Sequence, residues 1–261
     1  RTNKESIMGD LAGKKVFITG AEQGIGRATA ERLIKAGCDI YFHYHSDESG
    51  PKALVALAHS LGQKAAYGYA DLIDTDETLR CVSAGAELLG GIDILINNVG
   101  GIVGRKWLGE IDRAFWQTVI DVNMTTMLNV TQSALPHLKA APDGASIVNL
   151  ASQAGRAGGH AGSLVYSATK GAVLTWTRSL AAELGEHGIR VNAVAAGLIL
   201  GTRFHNRHTT QASAEETVRA IPLGRAGTPD DVARAIAFLA AEYDGFISGA
   251  TLDINGGIYR M

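Results

Sequence analysis

Lys15-Val16-Phe17-Ile18-Thr19-Gly20-Ala21-Glu22-Gln23-Gly24-Ile25-Gly26 decides the fold. The apolar-biased run Lys15–Thr19 reads as a short buried strand, the glycines as a tight turn, and the amphipathic stretch Ile25–Ala36 as a helix. The glycines are spaced G-x-x-x-G-x-G, unlike the G-x-G-x-x-G of many dinucleotide folds, but the physics is shared. They let the chain turn sharply, so that a pyrophosphate can approach the backbone and rest on the positive end of the helix. Alone, such a cluster is about as compatible with a plain strand-to-helix turn. The strand before it and the helix after it favour cofactor binding.

Outward from this unit, the same alternation repeats. Apolar runs at Lys15–Thr19, Asp39–Tyr44, Lys64–Tyr69, Asp93–Ile96, Ser146–Leu150, Arg190–Ala195 and Ala250–Ile254 read as strands. Helical periodicity occupies Ile25–Ala36, Pro51–Leu61, Thr75–Leu89, Ile111–Leu138, Ser163–Gly185 and Pro229–Ala240. This predicts an α/β fold: one doubly wound Rossmann-like domain over residues 11–261, with a seven-stranded parallel sheet flanked by helices on both faces. Residues 1–10 read as a flexible N-terminal extension. Residues 201–223, rich in Thr, His and Arg and weakly apolar, read as a substrate lid. Thr228-Pro229-Asp230-Asp231 is a strong helix start, and Gly90-Gly91 a helix stop.

Composition narrows the function. The chain has 261 residues, 46% hydrophobic and 19% charged, with a formal net charge of −2. That balance gives no bulk attraction for nucleic acid or an anionic membrane. No apolar stretch reaches the roughly 18–20 residues that span a bilayer, and the polar start lacks a secretory core. Cys38 and Cys81 form neither a disulfide framework nor a metal-ligand pattern, so the expectation is a cytoplasmic protein without a metal site.

Tyr166 and Lys170, at i and i+4, share a helix face. A phenol titrates near ~10 and needs help to exchange protons near neutrality; an adjacent ammonium lowers that value. Tyr166 is therefore a candidate general acid for ketone reduction, or general base for alcohol oxidation. Ser152, fourteen residues upstream, could hydrogen-bond the substrate oxygen where negative charge develops. Taken singly, Ser152 is as easily a strand-end hydroxyl, and Asn123 a helix-bending amide.

As an ordered set, T-G-x-x-x-G-I-G, Asn97-Asn98-Val99-Gly100, Asn123, Ser152 and Tyr166-x-x-x-Lys170 resemble the short-chain dehydrogenase/reductase family over essentially residues 11–261. The resemblance implies an NAD(P)(H)-dependent oxidoreductase acting on a small-molecule carbonyl or alcohol, usually a homotetramer, otherwise a homodimer. It implies that Lys170 holds the nicotinamide ribose as well as tuning Tyr166, and that Asn123 kinks its helix to complete a proton relay. It implies cofactor contacts from Gly20, Gln23, Gly24, Ile25, Gly26, Tyr44, His45, Ser46, Asp71, Leu72, Asn97, Val99, Gly100, Gly197, Ile199 and Thr202, although Asp71 alone reads equally as a helix-entry aspartate and the side chains of Asn97 and Asn98 as ties between neighbouring strands. Tyr44 stands where NAD-preferring relatives often carry Asp. With that acid gone and His45 and Ser46 able to donate to a phosphate, the expectation is NADP(H) over NAD(H). The Ser152–Tyr166 gap is one residue longer than in many relatives, and Ala196 replaces a frequent Pro.

Loops expected to ring the pocket carry Arg105, Lys106, Arg156, His160, Arg203 and His205. A lone surface cation is usually just solvated, but their clustering points to an anionic substrate held by a forked guanidinium. The Gly100–Lys106 run and the Asp253–Tyr259 ending resemble relatives acting on sugars and keto-sugar acids. A sugar-derived or keto-acid substrate is expected. A 3-oxoacyl-thioester reductase is the alternative, and a non-catalytic NAD(P)-binding sensor is an alternative of another class.

Overall fold

A computed structural model describes residues 11–202, 209–241 and 245–260. Seven parallel strands form one sheet in the order β3-β2-β1-β4-β5-β6-β7. They are β1 (Lys15–Ile18), β2 (Asp39–Tyr44), β3 (Ala65–Tyr69), β4 (Ile94–Asn97), β5 (Ala145–Ser152), β6 (Ile189–Ala196) and β7 (Thr251–Ile254). The strand order reverses between β1 and β4, which pair at Phe17↔Leu95. A crevice opens at such a reversal, beyond the carboxyl ends of the strands.

Strand alternation sends side chains to both faces, and both are covered. Val16, Ile18, Ile40 and Phe42 pack on one side with α1 (Gly24–Lys35) and Val232 and Ile236 of the late helix Pro229–Ala240. Phe17, Tyr41, Leu95 and Ile147 pack on the other with α3 (Thr75–Leu89) and α5 (Thr126–Lys139). Phe17 and Tyr41 stack at 5.6 Å between ring centroids. Burial on both faces is what makes these strands near-continuous apolar runs.

The helices start and stop where the sequence marks them. Asp74 caps α3 by accepting from the Glu77 amide, and Gly90 ends it at φ 74°. α2 spans Ser49–Ser60. The Thr228 hydroxyl accepts from the Asp231 amide, while the Asp231 carboxylate accepts from the Thr228 amide at 2.8 Å.

Two segments differ from expectation. The helix expected at 111–138 is three pieces: α4 (Arg113–Ile120), a π-turn (Asp121–Thr125) and α5. The lid region contains a helix, α8 (Gln211–Ala220), capped by the Thr210 hydroxyl on the Ser213 amide. None of its residues is fully buried, so it carries no apolar stripe for the sequence to reveal;. α6 (Ala154–Ala157) and α7 (Leu164–Leu184) precede it, and Pro229–Ala240 is α9. The expected N-terminal extension lies outside the described residues. No helix among the described residues is long and apolar enough to cross a membrane.

Candidate active site

A crevice of about 860 Å³ lies over the carboxyl ends of β1, β4 and β5. At its centre α7 brings Tyr166 and Lys170 against the end of β5. Ser152 and Tyr166 hydrogen-bond through their hydroxyls. Ser152 Oγ also accepts from the Ala154 amide at 3.1 Å, which fixes its rotamer. Lys170 is 3% exposed, and its Nζ donates to the Leu150 carbonyl at 2.8 Å. Burial pulls its pKa down to about 8;. Against the expectation that Lys170 lowers it, the Tyr166 phenol is pushed up from its ordinary value by burial, while the Ser152 hydrogen bond draws it back.

Asn123 sits in the π-turn, wholly buried. Its Nδ2 donates to the Val119 carbonyl at 2.9 Å and to the Gly101 carbonyl at 2.8 Å; its Oδ1 accepts from the Gly101 amide at 3.0 Å. The amide thus fastens the widened turn to the loop after β4. Gly100 lies between this amide and Lys170: a Cβ there would stand 2.8 Å from both Asn123 Oδ1 and Lys170 Nζ.

The glycine-rich turn forms the floor beside them. Thr19 Oγ1 accepts from the Asn98 and Val99 amides at 2.9 and 3.1 Å, and Asn98 Nδ2 donates to the Gly20 carbonyl at 3.0 Å. Gly26 presses against Gly20, leaving no room for a Cβ. Gly20, Gln23, Gly24, Ile25, Gly26, His45, Asp71, Leu72, Val99, Gly100, Gly197, Ile199 and Thr202 all line the crevice. Asp71 is oriented by accepting from the Ile73 amide at 3.0 Å. The segment after β6 reaches back so that Thr202 lies alongside Gly24 and donates to the Ile199 carbonyl at 3.2 Å.

Three residues expected at the cofactor stand elsewhere. Asn97 turns into the core, donating to Thr131 Oγ1 at 3.1 Å and Asn149 Oδ1 at 2.9 Å, which stitches β4 to β5 and α5. Tyr44 lies edge-on to Tyr67 and Tyr69 across the sheet surface. Ser46 is off the crevice wall, its hydroxyl 3.5 Å from Glu22 Oε1.

The expected cation cluster divides. Arg105 and His160 line the crevice, and Arg105 Nη1 donates to the Ala161 carbonyl at 3.0 Å. Lys106 turns away to pair with Asp112 at 2.6 Å and to sit over the Phe115 ring. Arg156 pairs with Asp253 at 3.2 Å. Arg203 and His205 lie outside the described residues.

Asn98, of the Asn97–Gly100 run, also lines the wall, and so do residues that no motif marked: Glu22 and His43 on the nucleotide side, and Ser213, Glu216 and Thr217 of α8 opposite. Glu22 Oε2 and Gln23 Oε1 are buried and have no hydrogen-bond partner among the described residues. Unpartnered buried acceptors demand a donor, and the hydroxyls of a nucleotide ribose supply them. With the glycine floor at a helix N-terminus, the residues present fit a dinucleotide.

This chain belongs to the short-chain dehydrogenase/reductase family and is an oxidoreductase. A family profile described as enoyl-(acyl carrier protein) reductase matches residues 20–259. The crystal structure of NADH-dependent reductase A1-R′, responsible for alginate metabolism, superposes with a TM-score of 0.88 at 36% identity, covering 97% of this chain and all of that one. The same reductase is also known complexed with NAD. 3-Oxoacyl-(acyl-carrier-protein) reductase FabG of Chlamydia pneumoniae is 34% identical across 95% of this chain and 98% of its own length. Glucose 1-dehydrogenase 2 of Bacillus subtilis is 32% identical across 95% of this chain and 96% of its own. The family's carrier is NAD(P)(H).

Proposed function

We propose that this enzyme reduces the ketone or aldehyde of a polar, anionic, sugar-derived compound, or oxidises the matching alcohol, with NAD(H) as its preferred carrier. The meeting of Ser152, Tyr166 and Lys170 beside the carboxyl end of β5, at the centre of the crevice, carries the reading. The bound dinucleotide supplies or accepts a hydride. Ser152 orients the carbonyl oxygen by hydrogen bonding, and Tyr166 donates its proton there as negative charge develops. The Lys170 ammonium lowers the cost of the phenolate left behind. Asn123 holds the loop that Gly100 opens beside Lys170, so Lys170 is met from two sides.

Carrier preference departs from the sequence expectation of NADP(H). The acid missing at Tyr44 stands instead at Glu22, inside the glycine turn. Its unpartnered oxygen can accept from ribose hydroxyls, and its charge repels a 2′-phosphate. No Lys or Arg accompanies it in the turn or in Tyr44–Ser46.

Arg105 and His160 support the anionic substrate, and the similarity to a reductase of alginate metabolism supports its carbohydrate character. Steady-state reduction of a panel of sugar-derived keto acids tests this directly, with Arg105→Ala expected to raise KM about tenfold. An unchanged KM across the panel defeats the substrate assignment. The similarity to FabG favours a second reading, a 3-oxoacyl-thioester reductase, which acetoacetyl-thioester turnover separates from the first.

We also infer a homo-oligomer in the cytoplasm. Trp116 of α4, Leu128 of α5 and Leu164 of α7 leave large apolar surface exposed, and both cysteines are free and buried;. Light scattering reads the oligomer number, and cell fractionation the compartment.

A further inference from the structure

We propose that His43 is a positioning residue for the dinucleotide, a neutral imidazole that ties the glycine-rich turn after β1 to the loop after β3. The inference rests on the reading of the crevice as a dinucleotide site. His43 is the fifth residue of β2 and is 1% exposed, yet it reaches the crevice wall. Its Nδ1 lies 3.2 Å from the Gly20 amide, and its Nε2 lies 2.9 Å from the Ala70 carbonyl.

Those partners determine the ring's chemistry. An amide N–H can only donate, so Nδ1 must present its lone pair to Gly20. A carbonyl can only accept, so Nε2 must carry the hydrogen toward Ala70. Both bonds exist together only in the neutral Nε2–H tautomer. Burial agrees, holding the pKa down to about 4 although the Ala70 carbonyl and, more weakly, Asp71 pull the other way.

The two atoms held are the hinge points of the nucleotide wall. Gly20 is at φ 65°, and both its peptide groups are gripped from outside the turn: its N–H by His43 of β2 and its carbonyl by Asn98 Nδ2, just after β4. The His43 main chain adds a further clamp, its carbonyl accepting from the Ala21 amide at 3.1 Å. Ala70 directly precedes Asp71 and Leu72, which line the crevice on the far side. One ring therefore sets the distance between the turn that meets the pyrophosphate and the loop that meets the base. A core histidine that only filled volume would need neither bond, and an aliphatic residue could replace it. Preorganisation of this kind acts on affinity, because the wall need not be ordered at the moment of binding.

Titration calorimetry of NADH and of ADP into wild type, His43→Gln and His43→Leu, with apo-protein melting alongside, tests the role. The glutamine can still donate to Ala70 but offers no acceptor in the Nδ1 position; leucine offers neither. Dissociation constants for both ligands are expected to rise about threefold to fivefold in His43→Gln and at least tenfold in His43→Leu. The kinetic loss should fall on KM for NADH more than on kcat. If the leucine variant does not fold, the glutamine variant decides. A folded variant with unchanged affinity for both ligands overturns the positioning role while leaving the cofactor reading intact. Failure of wild type to bind either NADH or ADP overturns both.

Discussion

The Lys170 ammonium lies 6.0 Å from the centre of the Tyr166 ring, one helical turn along α7, and donates to the Leu150 carbonyl at the end of β5. The pair is therefore braced from the sheet as well as from its own helix. A buried ammonium loses its proton more easily than one in water.

This fixes a pH dependence. Lys170 titrates at about 8, below the ordinary 10.5, so it is charged at pH 7 and loses charge as pH rises through 8. Tyr166 is pushed upward and stays protonated across that range. The kcat/KM for ketone reduction should be level near neutrality and fall with an apparent pKa near 8. In Lys170→Arg, whose guanidinium keeps its proton, the falling limb should disappear and the absolute rate should drop. A limb that stays at 8 in the arginine variant would show that another group titrates.

Glu22 offers a carrier switch. Wild type should show higher kcat/KM with NADH than with NADPH. Replacing the carboxylate in Glu22→Gln removes the repulsion toward a 2′-phosphate, and the NADPH-to-NADH ratio should rise by about tenfold, worth roughly 1.4 kcal/mol. Equal ratios in wild type and variant would clear Glu22 of this role.

Gly26 separates stability from chemistry. A Cβ there would collide with the Gly20 carbonyl and crowd Asn98 Nδ2. Gly26→Ala should force the turn and helix apart, costing about 1–3 kcal/mol by overpacking and weakening dinucleotide binding together. Chemical denaturation and calorimetry read both; a fully stable variant with normal affinity would mean that the turn yields easily.

Much of this was legible in the sequence because local pattern and tertiary role coincide. The strand runs, the Thr228 cap and the Gly90 stop depend on neighbours along the chain, and all seven strands form near their expected positions. Tyr166 and Lys170 were legible because i, i+4 spacing fixes a shared face. The misses share a different cause. Asn97 reads both as a tie between strands and as a cofactor contact, and the tie is what forms, to Asn149, a partner 52 residues away. Lys106 and Arg156 found acids that no spacing rule pairs with them. α8 lacked an apolar stripe because it borders the crevice rather than the core. His43 read as one more strand residue until Gly20 and Ala70 appeared on either side of its ring.

The sharpest test is Tyr166→Phe, which removes one oxygen and little else. The purified variant should bind NADH with near wild-type affinity, yet reduce its best ketone 10²- to 10⁴-fold more slowly, the range for loss of a general acid. Reduction at the wild-type rate with cofactor binding intact would contradict proton donation by this phenol.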